Sequence, residues 1–286
     1  MTSAPPSGTY PKARRIRFRF EQHDSNDRYF VDGDMVFSHF VAGLSGSFPP
    51  GEESFIRSVR RVAGRVTDPR LKKRVTGFVG QEAMHGREHR RLNDKLVEMG
   101  YPIGWLDTEA ARERALRLEE RLAPLVHLAA TAAAEHYTAV LAQRVLSSRE
   151  IQDIPASPEF WNLLNWHAFE ELEHKSVAFD VFRAVGGTEQ TRIAVMAVLY
   201  SLTIPLTYGA LAVSLARDPV ARRRPVHLAR EAYSLFRGPI FRGLMGELAL
   251  YMRPGFHPDD IDTEALLEHW QHELFGDEGV LVDHLT

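Results

Sequence analysis

The chain has 286 residues, 44% of them hydrophobic and 26% charged, which is ordinary globular composition and excludes a disordered tail or a fibre. Lysine and arginine number 35 against 38 acids, and the net charge of −3 offers no general attraction to phosphate polymers, so no nucleic-acid partner is expected. The absence of cysteine removes disulfide frameworks, thiolate zinc sites, iron–sulfur clusters and cysteine nucleophiles together, and leaves His, Asp and Glu as the strong metal ligands.

The N-terminus places three prolines ahead of any apolar run and lacks the charged-then-apolar order of a secretory signal, so a cytoplasmic location is expected. Residues 10 to 20 alternate weakly; everything after them carries helical period, broken by short Gly, Pro and Asp stops. Helices are predicted at roughly 34–45, 51–66, 70–99, 108–147 with a break before Pro124, 158–185, 189–216, 220–252 and 261–274. This is an all-α protein, read as an N-terminal arm (1–33), a metal-binding bundle (34–187) and an apolar helical extension packed on it (188–286). Residues 193–216 carry no charge and are followed by Arg217 and the triplet Arg222, Arg223, Arg224. Their length suffices to span a bilayer. Because they hold Ser201, Thr203, Thr207, Ser214 and a central Pro205, the favoured expectation is a buried, kinked helix pair, with peripheral membrane contact as the alternative.

Two segments put Glu and His three residues apart: Glu82 with His85, and Glu171 with His174. On a helix such positions lie about 60° apart, so one carboxylate and one imidazole from one helix can reach one metal ion. Hairpin arithmetic supplies partners. The first hairpin turns near Asp68, and the midpoint of positions 52 and 82 is 67, which sets Glu52 opposite Glu82; Glu53 serves nearly as well. The second turns between Ser147 and Pro158, and the midpoint of 135 and 171 is 153, which sets Glu135 opposite Glu171. Each hairpin thus presents a lone Glu and a Glu-x-x-His, the ligand set with which four-helix bundles hold two metal ions, and four carboxylates balance two divalent cations.

The bland alternatives differ by residue. Glu82 and His85 sit among Arg87, Glu88, Arg90 and Arg91, a pattern that also suits a solvated face. Glu135 follows the apolar run LAPLVHLAATAAA, where an uncompensated carboxylate costs several kcal/mol and needs a cation or a proton. Glu170, Glu171 and Glu173 lie between Trp161, Trp166, Phe169 and Phe179, so at least one acid must turn inward. His89 and His167 fall within about 40° of Glu82 and Glu171 on the helical wheel, as extra ligands or as partners that orient a ligand. His136 points about 100° from Glu135 and is discounted, and nothing assigns a task to Tyr137 or Asp180.

The layout Glu, Glu-x-x-His, Glu, Glu-x-x-His over about residues 51–180 resembles the ferritin-like di-iron carboxylate superfamily, which implies a ferritin-like four-helix bundle. SFPPGEESF, QEAMHGREH, TAAAEHYTA and WHAFEELEHKSVAFDVF together resemble a bacterial family of predicted metal-dependent hydrolases. That resemblance implies a metal site at Glu52, Glu82, His85, Glu135, Glu171 and His174, and it prefers Glu52 to Glu53 because the acid of its GE-x-x-F motif falls there. Pro49-Pro50 then leaves Glu52 close to a helix start.

A carboxylate-rich pair of metals with two histidines suits iron first, then manganese or zinc. The first expectation is therefore a di-iron or iron–manganese oxygenase or oxidase that activates O2 to oxidise a small hydrophobic organic substrate, served by an electron-donor protein. The alternatives are a dinuclear metal-dependent hydrolase that activates water, or a non-catalytic iron-storage module. The apolar C-terminal third, with Tyr233, Phe236, Phe241, Leu244 and Met245, suits a path for an apolar substrate or a bilayer contact. A homodimer is the expected assembly, since bundles of this kind often pair.

Overall fold

A computed structural model describes residues 10–20 and 28–286. Its helices are α1 (Met35–Arg60), α2 (Pro69–Glu98), α3 (Glu109–Arg121), α4 (Pro124–Ser147), α5 (Arg149–Gln152), α6 (Pro158–His174), α7 (Val177–Ala184), α8 (Glu189–Ala216), α9 (Pro225–Arg237), α10 (Leu244–Ala249) and α11 (Glu264–Phe275). The fold is all-α, and among the described residues the only β pairing is an isolated bridge between Ile16 and Leu285.

Local chemistry sets most helix starts. Asp34 accepts from the Phe37 amide at the head of α1, Asp68 caps α2 ahead of Pro69, and Ser157 caps α6 ahead of Pro158. Gly186, at φ +94°, ends α7, and Thr188 then caps α8.

α1 pairs with α2 and α4 with α6; the two pairs meet where α1 packs on α4 and α2 on α6. One hydrophobic core runs from Ile16 and Phe18 of the extended arm through Trp166 and Phe169 of α6 to Leu274 and Leu281 near the C-terminus. A second, around Phe78, Leu128, Val181 and Phe182, closes the other end of the bundle. Leu244, Phe241 and Met245 pack into a third, against Ala132 and Val140 of α4.

Four expected boundaries differ. The segments read as 34–45 and 51–66 form one helix that runs through Pro49 and Pro50 to Arg60. Proline at 49 deprives the Ser45 carbonyl of its helical donor. The Asn93 side-chain amide replaces that donor at 3.1 Å, so the helix continues. The 158–185 segment breaks after His174, where Arg74 holds Ser176 and Asp180 and Lys175 reaches to Thr263. The 220–252 segment becomes α9 and α10, separated by a turn in which Gly243 adopts φ +82°.

The fourth difference concerns 189–216, expected to be a buried, kinked pair. It is one 28-residue helix, α8, and of its residues only Arg192, Met196 and Leu211 are buried. Its apolar side chains exceed what the stripe against α1 and α4 can cover. By length and composition α8 is sufficient to cross a membrane.

Candidate metal centre

Each helix of the bundle delivers its acid to the same interior point. Glu52 comes from α1, Glu82 and His85 from α2, Glu135 from α4, and Glu171 and His174 from α6; none is more than 4% exposed. Their donor atoms converge in three overlapping groups, each within 4.8 Å: Glu52 with His85 and His167, Glu82 with His85 and Glu171, and Glu82 with Glu135 and His174. All six sequence-derived candidates therefore line one chamber. The continuity of α1 through its prolines sets Glu52 well inside a helix, not at its start. Gly86 permits the approach of α1 to α2 here, since a Cβ at that position would stand 3.1 Å from Glu52 Oε2.

Glu53 lies outside the chamber, half-buried and paired with Arg90 and Arg57. His136 also faces away: its Nε2 is directed to the Glu247 carbonyl, and burial pushes it down to about 4. Tyr137 bonds to Thr203, and Asp180 to Arg74 and His257.

The chamber is tested by its own polar atoms. Among the described residues, thirteen buried side-chain nitrogen and oxygen atoms lack a hydrogen-bond partner, and nine of them belong to the six candidates. These are both oxygens of Glu52, Glu82 and Glu135, Glu171 Oε2, His85 Nδ1 and His174 Nε2. Buried polar atoms are ordinarily satisfied, so such a concentration in one place fits a cation-binding site. His174 Nε2 stands 3.1 Å from Glu82 Oε1, 3.5 Å from Glu135 Oε2 and 3.5 Å from Glu171 Oε2, with no oxygen aligned as a hydrogen bond. The carboxylate and imidazole donors fit a divalent metal.

Behind the chamber, other side chains fix the rings. His85 Nε2 lies 3.1 Å from Glu170 Oε2, so it carries the proton and leaves Nδ1 as a lone pair in the chamber. Gln81 donates through Nε2 to Glu173 at 2.6 Å, which turns its Oε1 toward His174 Nδ1 at 2.9 Å and leaves His174 Nε2 facing inward. Arg14, from the extended arm, ties both supports together, at 2.9 Å to Glu170 and 2.7 Å to Glu173. Sequence reasoning missed Arg14, Gln81, Glu170 and Glu173 as supports. The available signal was the rule that an acid of 170, 171 and 173 must turn inward: two do, Glu171 into the chamber and Glu170 toward α2.

His89 and His167 divide. Asn93 Nδ2 donates to the Ser45 carbonyl, so Asn93 Oδ1 accepts from the Ser45 hydroxyl, and Ser45 in turn accepts from His89 Nδ1. His89 Nε2 then accepts from His167 Nδ1 at 2.7 Å, which places both His89 nitrogens outside the chamber. His167 Nε2 also faces the chamber, hydrogen-bonded to Glu171 Oε1 at 2.9 Å and standing 3.8 Å from Glu52 Oε1.

Burial pushes the carboxyls of Glu52 and Glu135 well above the ordinary range, and the neighbouring carboxylates push the same way. Burial also raises Glu82, against the pull of His174. In Glu171 burial acts upward but is overcome by His174 and His167, which hold it well below that range. Burial drives His85 well down, aided by His167. Without cations the chamber therefore cannot keep its carboxylates ionised together, and cations would reverse this.

Residues 12–262 match a family described as predicted metal-dependent hydrolase, a span that contains every chamber residue. The chain belongs to that family. No curated protein and no solved structure matches, so the ferritin-like likeness rests on the ligand pattern alone. The family description and the donor clusters agree on metal dependence, and the description speaks of hydrolysis, which favours that alternative over the oxygenase expectation.

Proposed function

We propose that this protein is a hydrolase that works with two divalent metal ions held by Glu52, Glu82, His85, Glu135, Glu171 and His174. The observation that carries the reading is the convergence of nine orphaned, buried donor atoms from these six residues on one chamber. Glu52 with His85 forms one half of the site and Glu135 with His174 the other, while Glu82 and Glu171 lie between them and face both. Bound there, two divalent ions supply Lewis-acid activation of water for attack on an ester, amide or phosphate. Proton transfer at the site is assigned to His167, whose Nε2 faces the chamber beside Glu171 while its other nitrogen is tied into the chain of His89, Ser45 and Asn93. The four helices exclude bulk water from the site, as the burial of every donor requires.

The donor set itself favours a second reading. Four carboxylates and two histidines on paired Glu-x-x-His helices suit iron, so oxidation of a hydrophobic organic substrate by O2, fed by an electron-donor protein, is the competing activity. Elemental analysis of the full chain, before and after anaerobic reconstitution, separates these readings when combined with turnover assays. About two zinc or manganese ions per chain with turnover of an ester, amide or phosphate supports hydrolysis. About two iron ions, or one iron and one manganese, with substrate-dependent oxygen uptake supports oxidation. Less than about 0.2 of any metal per chain overturns both.

A further inference from the structure

We propose that the face formed by α8 and α9 docks on the surface of an anionic phospholipid bilayer. From Ile193 to Ala216 α8 has no charged residue, and Val198, Leu202, Ile204, Leu206, Tyr208 and Val213 are all exposed, Leu206 at 64%. The helix is nevertheless firmly held. Tyr137 of α4 bonds to Thr203 at 2.7 Å, and His39 of α1 lies 2.7 Å from Ser214 and 3.1 Å from Asp218, which also accepts from the Val220 and Ala221 amides. The exposed apolar face therefore belongs to a fixed element of the fold.

Its shape selects the occupant. At about 100° per residue, Leu202, Leu206 and Val213 share one side while Ile204 and Tyr208 lie about 160° and about 120° round from Leu202. Exposed apolar positions thus span more than half the circumference. A second helix packed on α8, as in a dimer, covers one stripe. A fluid apolar layer covers the whole arc.

Charge gives the second argument. Arg217, Arg222, Arg223 and Arg224 follow the apolar run directly, and Arg230 and Arg237 lie on α9; all six are exposed. The same stretch, 193–237, holds two acids: Asp218, buried against Arg28 and His39, and Glu231, paired with His227. An apolar belt edged by arginines, with exposed Tyr208 and Tyr233, matches the boundary between anionic headgroups and acyl chains. Because one stripe of α8 packs on α1 and α4, the helix lies in that boundary and does not span it. The inference is independent of the chemistry at the metal centre.

The test is flotation of the full chain with vesicles of phosphatidylcholine alone and of equal parts phosphatidylcholine and phosphatidylglycerol. The expected result is at least tenfold greater partition to the anionic vesicles, weakened by high salt. Leu206→Asp with Val213→Asp should lower that partition tenfold or more with an unchanged thermal melt, and Arg222→Ala and Arg223→Ala about fivefold each. As a second measurement, Leu206→Trp should gain quenching by brominated lipids relative to the parent chain. Failure to partition on anionic vesicles overturns the proposal, as does partition insensitive to these substitutions. So does a dimer in sedimentation equilibrium that Leu206→Asp dissociates, where vesicle binding is absent.

Discussion

The bundle interior and the α8 face invert the usual distribution of side chains. Four carboxylates and three imidazoles crowd the chamber between α1, α2, α4 and α6, while a helix without charge from Ile193 to Ala216 faces outward. Burying ionisable groups costs free energy that packing alone does not return, and exposed apolar surface is retained at a cost of its own. Each region is therefore proposed to be completed by something outside the chain: cations for the first, an apolar layer for the second. What differs is the precision required. A metal needs donors placed within tenths of an ångström, so the chamber is tied down by outer hydrogen bonds, whereas a lipid surface needs only a broad apolar arc.

The largest expected effect breaks the chamber. Glu135→Ala or His174→Ala should reduce bound metal from about two ions to near none while circular dichroism shows nearly unchanged helix content, since the cores around Trp166 and Phe78 do not include these side chains. Loss of helix together with metal would make the ions structural. Next, His167→Gln should keep the metal and lower hydrolytic turnover by roughly 10²- to 10⁴-fold, the range of a lost general base. Loss of metal in that variant would make His167 a ligand.

Arg14→Ala acts one step further out, through Glu170 on His85 and through Glu173 and Gln81 on His174. It should weaken metal affinity about 10- to 100-fold in a competition titration while stoichiometry at saturation stays unchanged. An unaltered affinity would show that the arm is packing alone.

The chamber also predicts an unusual pH dependence. Folding raises the affinity of Glu52, Glu82, Glu135 and His174 for protons. In the metal-free chain above about pH 7 the folded state thus binds more protons than the unfolded state at these groups, and stability falls as pH rises. The lowered values of His85 and His89 oppose this only below that window, where an unfolded histidine still takes a proton, and the lowered Glu171 only at acid pH. The melting temperature of the metal-free chain should therefore fall as pH rises above about 7, and saturating metal should remove the fall. A flat profile without metal would count against the raised carboxyls of Glu52, Glu82 and Glu135 and the raised imidazole of His174. The smallest effect is expected on the other region: Leu206→Ser, at an exposed position, should change stability by no more than about 0.5 kcal/mol in urea unfolding.

The sequence by itself determined the helical class, most helix starts and five of the six candidate donors, and left Glu52 and Glu53 open until the family resemblance favoured Glu52. Capping residues and prolines act within a turn, and the register of antiparallel hairpins follows from where the chain reverses. Glu82, His85, Glu171 and His174 were legible because helical spacing is a local property, and Glu135 because an apolar run surrounded it. Only the tertiary structure decided the rest. Whether α1 passes through Pro49 and Pro50 depended on Asn93, 48 residues along the chain from Ser45, supplying to the Ser45 carbonyl the donor that proline lacks. Whether His89 or His167 faces the chamber depended on a hydrogen-bond chain through Ser45 and Asn93. The supports of His85 and His174 include an arginine from an extended arm that no helical period could connect to them. Hydropathy likewise could not tell whether α8 is covered, because the same uncharged run suits a core or an exposed face. Burial is settled by how much surface the neighbouring helices present, a property of the packed molecule and not of any segment.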